Sequence, residues 1–572
     1  MRRIKSLVGS TPTLFFVFFL LHIALFLIFT VQLHARELDL GLEDEETLLS
    51  LYAPTEAEVR NLYSQLTLDQ KIGQLLLIGF KGHTVGEGAN KVIRDLRPGG
   101  LIIFGRNIST AGQLSKLSQD LRTQSFRAST LPPLLAIDQE GGTVARIKMS
   151  PPQPSALAVG RTNSYEVAEK MGYYTGTVLK AFGINMNLAP VLDIADPTKP
   201  NFLGTRSFAN NAEIVGEMSL SYAQGLERAG VISTLKHFPG HGNEVSDPHF
   251  DVPVIEDDFK TLTETRLKPF KFLMDKFSPP AIMVAHMAIP NVDPTASAAT
   301  YSKVLITHLL RKKWNYNGLV VTDDIDMRAA RSSDRFGQAT QALLAGADLI
   351  MVAWNRRTQY RAFRDLKKSV QTGVISDALL QESVSRVLRT KLRYRLREPQ
   401  PKPTLKEIKL ALRNPQMKTL IDDVTKMNLK RHFVRGVAAL PPANKKLSKV
   451  LFFSRSHSFQ KTFGEKATQN CCKTQSLLSL EDMSLFLEKY KNTLAVVHVS
   501  GKSTATWLNK MASHLRKRII VVNTNSPALI LSPDSYQKIV NVYTYHPEVG
   551  GFLAQELFPE RGHGSSEYTY LE

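Results

Sequence analysis

The densest group of chemically capable side chains lies between Lys236 and His249. An apolar run ends in Lys236-His237, a Pro/Gly turn follows, and Asp247 and His249 stand two positions apart shortly after it. Lys236 and His237 are suited to donate hydrogen bonds to a hydroxyl-rich ligand. In the Asp-x-His pair, the carboxylate can orient the imidazole and raise its basicity. This prepares His249 to give and later take a proton near neutral pH.

The same segment admits two other interpretations, a metal site and a purely structural loop. His237, His241, Asp247 and His249 include acceptable zinc ligands. Zinc sites usually place their ligands on rigid elements, whereas these residues are spread through a Gly-rich loop beside a lysine. We therefore predict that the site uses neither a metal nor another cofactor.

A second candidate is Asp323, which directly follows Val320-Val321-Thr322 at the end of an apolar run. A carboxylate at the end of a strand can attack an electrophilic carbon. The competing role for an aspartate in this position is a helix N-cap, a role that also fits Asp324 and Asp326.

Two further segments carry charges suited to binding. Asp138 ends an apolar run and is followed by a Gly pair that would let the backbone approach a ligand closely, with Arg146 a short way on. Arg206 lies in a later Gly-containing loop, and His286 ends another apolar run. Each of these, taken singly, has a structural alternative.

The elements that must position these residues alternate between short apolar runs and longer amphipathic ones, which is typical of βα units around a parallel sheet. Eight strands are predicted, at Gln74–Phe80, Gly100–Gly105, Leu134–Asp138, Ile184–Leu192, Val231–His237, Ala281–His286, Gly318–Asp323 and Ala347–Ala353. Eight repeats predict a (β/α)8 TIM-type barrel, with an open doubly wound sheet as the alternative. A barrel requires its functional groups at the carboxyl ends of the strands, where Asp138, Lys236, His237, His286 and Asp323 fall.

The chain divides into five predicted segments. These are 1–35, a cytoplasmic stub with a transmembrane anchor or signal; 36–65, a tether; 66–395, the α/β barrel; 396–445, a basic linker; and 446–572, a smaller α/β domain.

The N-terminal segment predicts membrane attachment. Arg2, Arg3 and Lys5 precede an uncharged apolar run from Leu14 to Val31, long enough as a helix to cross a bilayer. Basic residues ahead of the run keep that end in the cytoplasm, so the remainder is predicted to be exported from the inner membrane. The residues after the run make a poor cleavage site, which favours an anchor over a cleaved signal.

The net charge of +20 raises the question of nucleic-acid binding. Basic residues are dense between Lys391 and Lys449, but no helix-turn-helix, zinc-finger or RNA-binding signature accompanies them. We predict no nucleic-acid partner and interpret this stretch as a solvated connector. The two cysteines, Cys471 and Cys472, are adjacent and could close only a strained ring, so no disulfide framework is predicted.

Taken together and in this order, the motifs resemble glycoside hydrolase family 3. Within that family they are similar to the bacterial β-N-acetylglucosaminidases that trim peptidoglycan fragments. The resemblance covers about residues 66 to 395, and its most specific part is the Lys-His-Phe-Pro-Gly-His-Gly string at 236–242 with Asp-x-His beyond it. The β-glucosidases of the family generally take an acid/base glutamate from their C-terminal domain instead.

The resemblance implies a retaining exo-enzyme that releases a terminal non-reducing N-acetylglucosamine from a carbohydrate substrate. Asp323 would be the nucleophile, and His249, held by Asp247, the general acid/base. The implied sugar-binding residues are Asp138, Arg146, Arg206, Lys236 and His237, with His286 as a further candidate.

The sequence departs from the family pattern at Asn243-Glu244 and at Pro248 within the Asp-x-His pair, which bears on the rate. Two rivals remain: a β-glucosidase or phosphorylase of the same fold, and a non-catalytic, membrane-tethered wall-binding protein.

Overall fold

The computed structural model describes most of the chain from residue 53 onward. The described ranges are 53–242, 252–295, 298–330, 336–399, 402–434, 449–470, 473–477, 479–489, 493–511, 513–524, 536 and 538–557. The predicted membrane span, the Asp247/His249 pair and the two cysteines lie outside these residues. Within the described part of the chain, no helix has both the length and the apolar character needed to cross a membrane.

Ten strands occur among the residues of the first domain that the structure describes. In chain order they are β1 (Leu76–Gly79), β2 (Gly100–Ile103), β3 (Leu134–Ile137), β4 (Gln139–Gly141), β5 (Val144–Ala145), β6 (Met186–Asn187), β7 (Ile232–Phe238), β8 (Ala281–Val284), β9 (Leu319–Thr322) and β10 (Ile350–Val352). Strands β4 and β5 form a separate hairpin, and the other eight form one parallel sheet in the order 10-1-2-3-6-7-8-9.

The eight-stranded sheet is nearly closed, because β9 and β10 meet through a parallel bridge between Val321 and Leu349. The amide of Thr322 donates to the Leu349 carbonyl at 3.0 Å. This arrangement confirms the barrel prediction and excludes an open doubly wound sheet. All eight barrel strands lie at the predicted segments, although β7 extends one residue further, to Phe238.

The barrel strands are apolar on both faces, as parallel strands covered by helices must be. One face points into the barrel, where Leu77, Ile102 and Met283 belong to a central cluster. The neighbouring residues Ile78 and Leu101 point outward and pack in the larger cluster beneath the helices. Continuous burial along each strand therefore explains why these runs read as uniformly apolar in the sequence.

The helices of the first domain surround this sheet. They are α1 (Glu56–Ser64), α2 (Leu68–Gln74), α3 (Gly86–Leu96), α4 (Ala111–Ser129), α5 (Ala156–Gly160), α6 (Tyr165–Ala181), α7 (Ala212–Arg228), α8 (Phe259–Glu264), α9 (Lys268–Lys276), α10 (Gln338–Ala345), α11 (Arg356–Gln371) and α12 (Asp377–Arg393), with a π-helical segment at Val304–Lys313. Several begin at side-chain caps: Ser164 accepts from the amide of Val167, and Asn211 from that of Ile214.

Two helices, α13 (Leu405–Leu412) and α14 (Pro415–Val434), occupy most of the segment predicted as a basic linker. Both pack rather than merely connect. Ile421 and Val424 of α14 belong to the core cluster of the first domain, whereas Leu429 belongs to a core cluster of the second. Helix α14 therefore joins the two domains.

The second domain is a parallel sheet covered by helices. Its elements are β11 (Lys449–Phe453), α15 (His457–Asn470), β12 (Thr474–Ser476), α16 (Leu480–Lys489), β13 (Thr493–Val499), α17 (Lys502–Lys510), α18 (Ser513–Arg516), β14 (Ile519–Asn523), β15 (Lys538–Asn541) and α19 (Val549–Leu557). The strand order is 12-11-13-14-15. Apolar clusters lie on both faces of this sheet.

Candidate active site

A cavity of about 480 Å³ opens at the carboxyl ends of the barrel strands. Its volume lies within the range of small-molecule sites. The lining combines charged residues with apolar and aromatic ones: Ile102, Phe104, Gly105, Arg106, Asp138, Glu140, Val144, Arg146, Phe202, Arg206, Lys236, His237, His241, Met283, Asp323, Asp324, Met327, Met351 and Trp354.

A network of ion pairs forms one wall of the cavity. The ammonium of Lys236 lies 3.0 Å from Asp138 Oδ1 and 2.6 Å from Glu140 Oε1. Arg206 binds both oxygens of Glu140, each at 2.8 Å. Arg146 reaches Asp138 Oδ2 at 3.3 Å. Such two-pronged pairing fixes the orientation of a guanidinium, so the network holds donors and acceptors at set positions.

The buried members of this network remain charged. Burial opposes ionisation of Glu140, but Arg206 and Lys236 outweigh it and hold its pKa well below the ordinary value. Burial likewise opposes the charge on Lys236, whereas Glu140 and Asp138 raise its pKa. Only 2% of Lys236 is exposed. Because a buried charge needs partners of opposite charge, the positions of Asp138, Glu140, Arg206 and Lys236 depend on one another.

His237 is oriented from behind by Asp193. Its Nδ1 lies 2.6 Å from Asp193 Oδ2, which places the ring proton on Nδ1 and leaves Nε2 facing the cavity, 3.4 Å from Arg206 Nη2. Asp193 is fully buried. Although burial opposes its charge, His237 and His241 lower its pKa to about 2. Asp193 therefore acts as a permanently ionised positioning residue.

His241 packs against Asp193 and His237, but it contacts Asp193 through its backbone amide and not through its ring. Its amide donates to Asp193 Oδ1 at 2.7 Å, and its ring meets Phe202 edge-on at 4.8 Å. Burial lowers its pKa to about 3, so the ring is neutral. Its buried Nδ1 has no hydrogen-bond partner among the described residues.

Asp323 directly follows β9 and is partly accessible from the cavity. Burial opposes its ionisation. The imidazoles of His286 and His237, the amide of Asp324 at 2.8 Å and the charge of Lys236 together lower its pKa. The carboxylate is therefore ionised at neutral pH, as a nucleophile must be.

His286 does not line the cavity. Its side chain is fully buried, with Nε2 3.1 Å from the Asp324 carbonyl and Nδ1 2.8 Å from Thr300 Oγ1. It lies behind the nucleophile segment, where it contacts Asp324 and lowers the pKa of Asp323.

The glycines after Asp138 adopt backbone conformations that favour glycine. Gly141 and Gly142 have φ values of +99° and +56°, and a Cβ on Gly141 would lie 2.2 Å from the Pro154 carbonyl oxygen. Gly141 therefore permits a close approach between its own backbone and the segment at Pro154.

The structure brings Asp138, Arg146, Arg206, Lys236, His237 and Asp323 to one cavity. Sequence reasoning passed over Glu140 and Asp193 as site residues. Asp193 could have been found, because it directly follows the fourth predicted strand, and Asp138 stands at the end of the third. No cluster of three or more metal-ligating side chains occurs among the residues that the structure describes.

The fold is a barrel whose mouth holds an ionised carboxylate and a wall of hydrogen-bonding side chains. These are features of a carbohydrate-processing enzyme. The family model described as the glycosyl hydrolase family 3 N-terminal domain matches residues 67–390. The chain therefore belongs to glycosyl hydrolase family 3.

Individual relatives support this family assignment. Beta-hexosaminidase A of Pseudoalteromonas piscicida is 29% identical over 404 residues, which cover 64% of this chain and 67% of that protein. The structure of a family 3 β-N-acetylglucosaminidase from Paenibacillus sp. is similar with a TM-score of 0.73 and 28% identity, covering 86% of this chain and 96% of that one. The predicted resemblance to the β-N-acetylhexosaminidases of family 3 is confirmed, and the chain is a glycosidase.

A β-glucoside phosphorylase is also similar, with a TM-score of 0.71 over 88% of this chain and 95% of that one. Its identity is 20%, so this likeness shows the fold alone.

Proposed function

We propose that the protein is a retaining exo-β-N-acetylglucosaminidase that removes a terminal non-reducing N-acetylglucosamine. The observation that carries the proposal is the ionised Asp323 in the same cavity as the Lys236, Glu140 and Arg206 network. This wall supplies paired donors and acceptors for sugar hydroxyls, while Asp323 supplies the attacking carboxylate. The relatives named above, a β-hexosaminidase and a β-N-acetylglucosaminidase, support the choice of sugar.

The reaction has two steps. Asp323 attacks the anomeric carbon, the glycosidic bond breaks, and His249 transfers a proton to the departing oxygen. His249 then removes a proton from water as the water attacks the glycosyl-enzyme, which frees the sugar with its original anomeric configuration and restores Asp323. Asp247 holds His249 in position. An imidazole suits both tasks because its reference pKa of about 6.5 lies near the working pH.

A substrate panel tests the proposal against its rivals. The protein is assayed with an aryl β-N-acetylglucosaminide and an aryl β-glucoside, each with and without phosphate, and the first-formed anomer is followed by NMR. We expect hydrolysis of the N-acetylglucosaminide, no effect of phosphate, and a β product. Preference for the glucoside or a phosphate requirement would favour the same-fold rivals. Binding without turnover would favour the wall-binding protein.

Asp323→Ala tests the nucleophile. We expect kcat to fall roughly 10⁴-fold or more, because the residue that forms the covalent intermediate has no substitute in the mechanism. The control is Asp120→Ala, which removes a surface carboxylate of α4 paired only with Lys116. Near wild-type turnover by the Asp323 variant would contradict the assignment.

We further propose that the natural substrates are peptidoglycan fragments and that the apolar run Leu14 to Val31 anchors the enzyme in the inner membrane with the barrel exported. The support is the basic N-terminus ahead of an 18-residue apolar run. Product analysis on purified wall fragments tests the substrate. Alkaline extraction of cell membranes tests the anchor, since release into the soluble fraction would exclude it.

A further inference from the structure

Trp354 is an exposed aromatic residue in the wall of the catalytic cavity. It follows β10 by two positions, and 56% of its surface is accessible, whereas Trp314 and Trp507 are partly buried. Trp354 and Asp323 line the same cavity. Large apolar surfaces left open at a ligand site generally mark a place where something binds.

The indole is held in a fixed orientation by Arg106. The guanidinium lies 3.8 Å from the centre of the Trp354 ring and 4.4 Å from that of Phe104. Arg106 is itself anchored, because its Nε donates to the Phe80 carbonyl at 3.3 Å and its Nη2 to the Ala353 carbonyl at 3.1 Å. Cation–π stacking of this kind keeps an exposed ring in place without burying it.

The segment that carries Trp354 is also tied to the segment that carries the nucleophile. Asp326 Oδ2 accepts from the amide of Trp354 at 3.2 Å, and Asp324 Oδ1 accepts from the amide of Ala353 at 3.0 Å. Both carboxylates lie within three residues of Asp323. The position of the indole relative to the attacking group is therefore fixed by backbone hydrogen bonds.

We propose that Trp354 is the stacking platform for the sugar on the leaving-group side of the scissile bond. This inference rests on the proposed function, and it names the substrate class: β-linked oligosaccharides whose leaving group is a second pyranose. The C–H face of a pyranose is apolar and covers an indole well. Arg106 Nη1 makes no hydrogen bond to any residue that the structure describes, so the guanidinium keeps an unused donor beside the indole.

Two substrates with and without a leaving-group ring separate this subsite from the rest of the mechanism. The leaving group of N,N′-diacetylchitobiose is a second N-acetylglucosamine, whereas that of N-acetylglucosaminyl β-fluoride is fluoride, which has no ring. We expect Trp354→Ala to lower kcat/KM for chitobiose roughly ten-fold and to change the value for the fluoride less than about two-fold. Trp354→Phe, which keeps an aromatic face, should restore most of the chitobiose activity.

The control variant is Phe126→Ala, which removes another exposed aromatic ring, 49% accessible, from α4. It should leave both substrates unchanged. Equal loss on chitobiose and fluoride in the Trp354 variant, or no loss on either, would overturn the subsite. If the wild-type protein cleaved neither substrate, the proposed function would be overturned instead. Failure of the subsite and failure of the proposed function therefore give different results.

Discussion

Asp324, the neighbour of the proposed nucleophile, is a buried carboxyl group whose surroundings disfavour its ionisation. Its Oδ1 accepts from the amides of Ala353 and Asp326, but its buried Oδ2 has no hydrogen-bond partner in the part of the chain that the structure describes. Burial, reinforced by the nearby charges of Asp326 and Asp323, raises its pKa to about 7. The two adjacent carboxyl groups therefore differ in pKa, because His286, His237 and Lys236 lower the pKa of Asp323, whereas burial and two neighbouring carboxylates raise that of Asp324.

This difference predicts a pH dependence of stability. A carboxyl whose folded pKa lies above its unfolded value favours the folded state at low pH, and that advantage is lost as pH rises toward 7. Asp324→Asn keeps the Oδ1 acceptor and cannot ionise. Its free energy of unfolding relative to the wild type should therefore rise by up to roughly 3 kcal/mol between pH 4 and pH 8. Urea unfolding at several pH values measures this, with Asp120→Asn as an exposed control. A constant difference across this range would show that folding does not raise the pKa of Asp324.

At the scale of elements, the barrel could be predicted because its strands are buried on both faces and four of the predicted strands end in an ionisable residue, at Asp138, His237, His286 and Asp323. What escaped prediction has short or polar signatures. The β4–β5 hairpin spans Gln139–Gly141 and Val144–Ala145, and β12 is the three-residue strand Thr474–Ser476. Neither is long enough to show a period.

Partners distant in sequence also escaped prediction. Arg206 and Glu140 stand 66 positions apart, and nothing local to either indicates the other. The sequence identified most groups that face the ligand, because these follow strands. It did not identify the residues that hold them, because such contacts depend on how neighbouring strands pack.

Gly79, at the end of β1, shows how tightly the barrel closes. A Cβ at this position would lie 2.0 Å from the carbonyl oxygen of Ala353, on the segment that leads to Trp354. We expect Gly79→Ala to destabilise the protein by roughly 2–3 kcal/mol, since the backbone of either β1 or the segment after β10 must shift. Chitobiose cleavage should suffer more than fluoride cleavage, because Trp354 moves with Ala353.

The matched control is Gly88→Ala in α3, where an added Cβ meets no atom within 4 Å. An exposed helical glycine is less favourable than alanine, so this variant should gain about 0.5–1 kcal/mol. Urea unfolding of both variants tests the pair. Equal stability of the two would show that the approach of β1 to Ala353 is not a constraint on the fold.

At the scale of the whole molecule, the two domains share structural elements. The core of the first domain includes Ile421 of α14, and that of the second includes Leu429, two turns further along the same helix. Tyr543, just beyond β15, belongs to the first domain's core cluster, and its carbonyl accepts from Ser155 Oγ at 2.8 Å. Because these contacts cross between the domains, separating them would expose apolar surface on both sides.

We therefore expect the two domains to unfold together. In a Trp354→Phe background, Trp507→Phe leaves Trp314 to report on the barrel, and Trp314→Phe leaves Trp507 to report on the second domain. The two fluorescence transitions should share one midpoint. Leu429→Ala, which removes a fully buried side chain at a cost of about 2–5 kcal/mol, should lower both midpoints equally.

The control for this experiment is Leu410→Ala on α13, where the side chain is 65% exposed and neither midpoint should move. If the domains were energetically independent, Leu429→Ala would shift only the transition reported by Trp507. Coincident shifts would show that the packing of α14 is lost only when both cores unfold, so that the two domains form one cooperative unit. The second domain would then contribute to the catalytic cavity through stability, by holding Ser155 and the barrel segment around it.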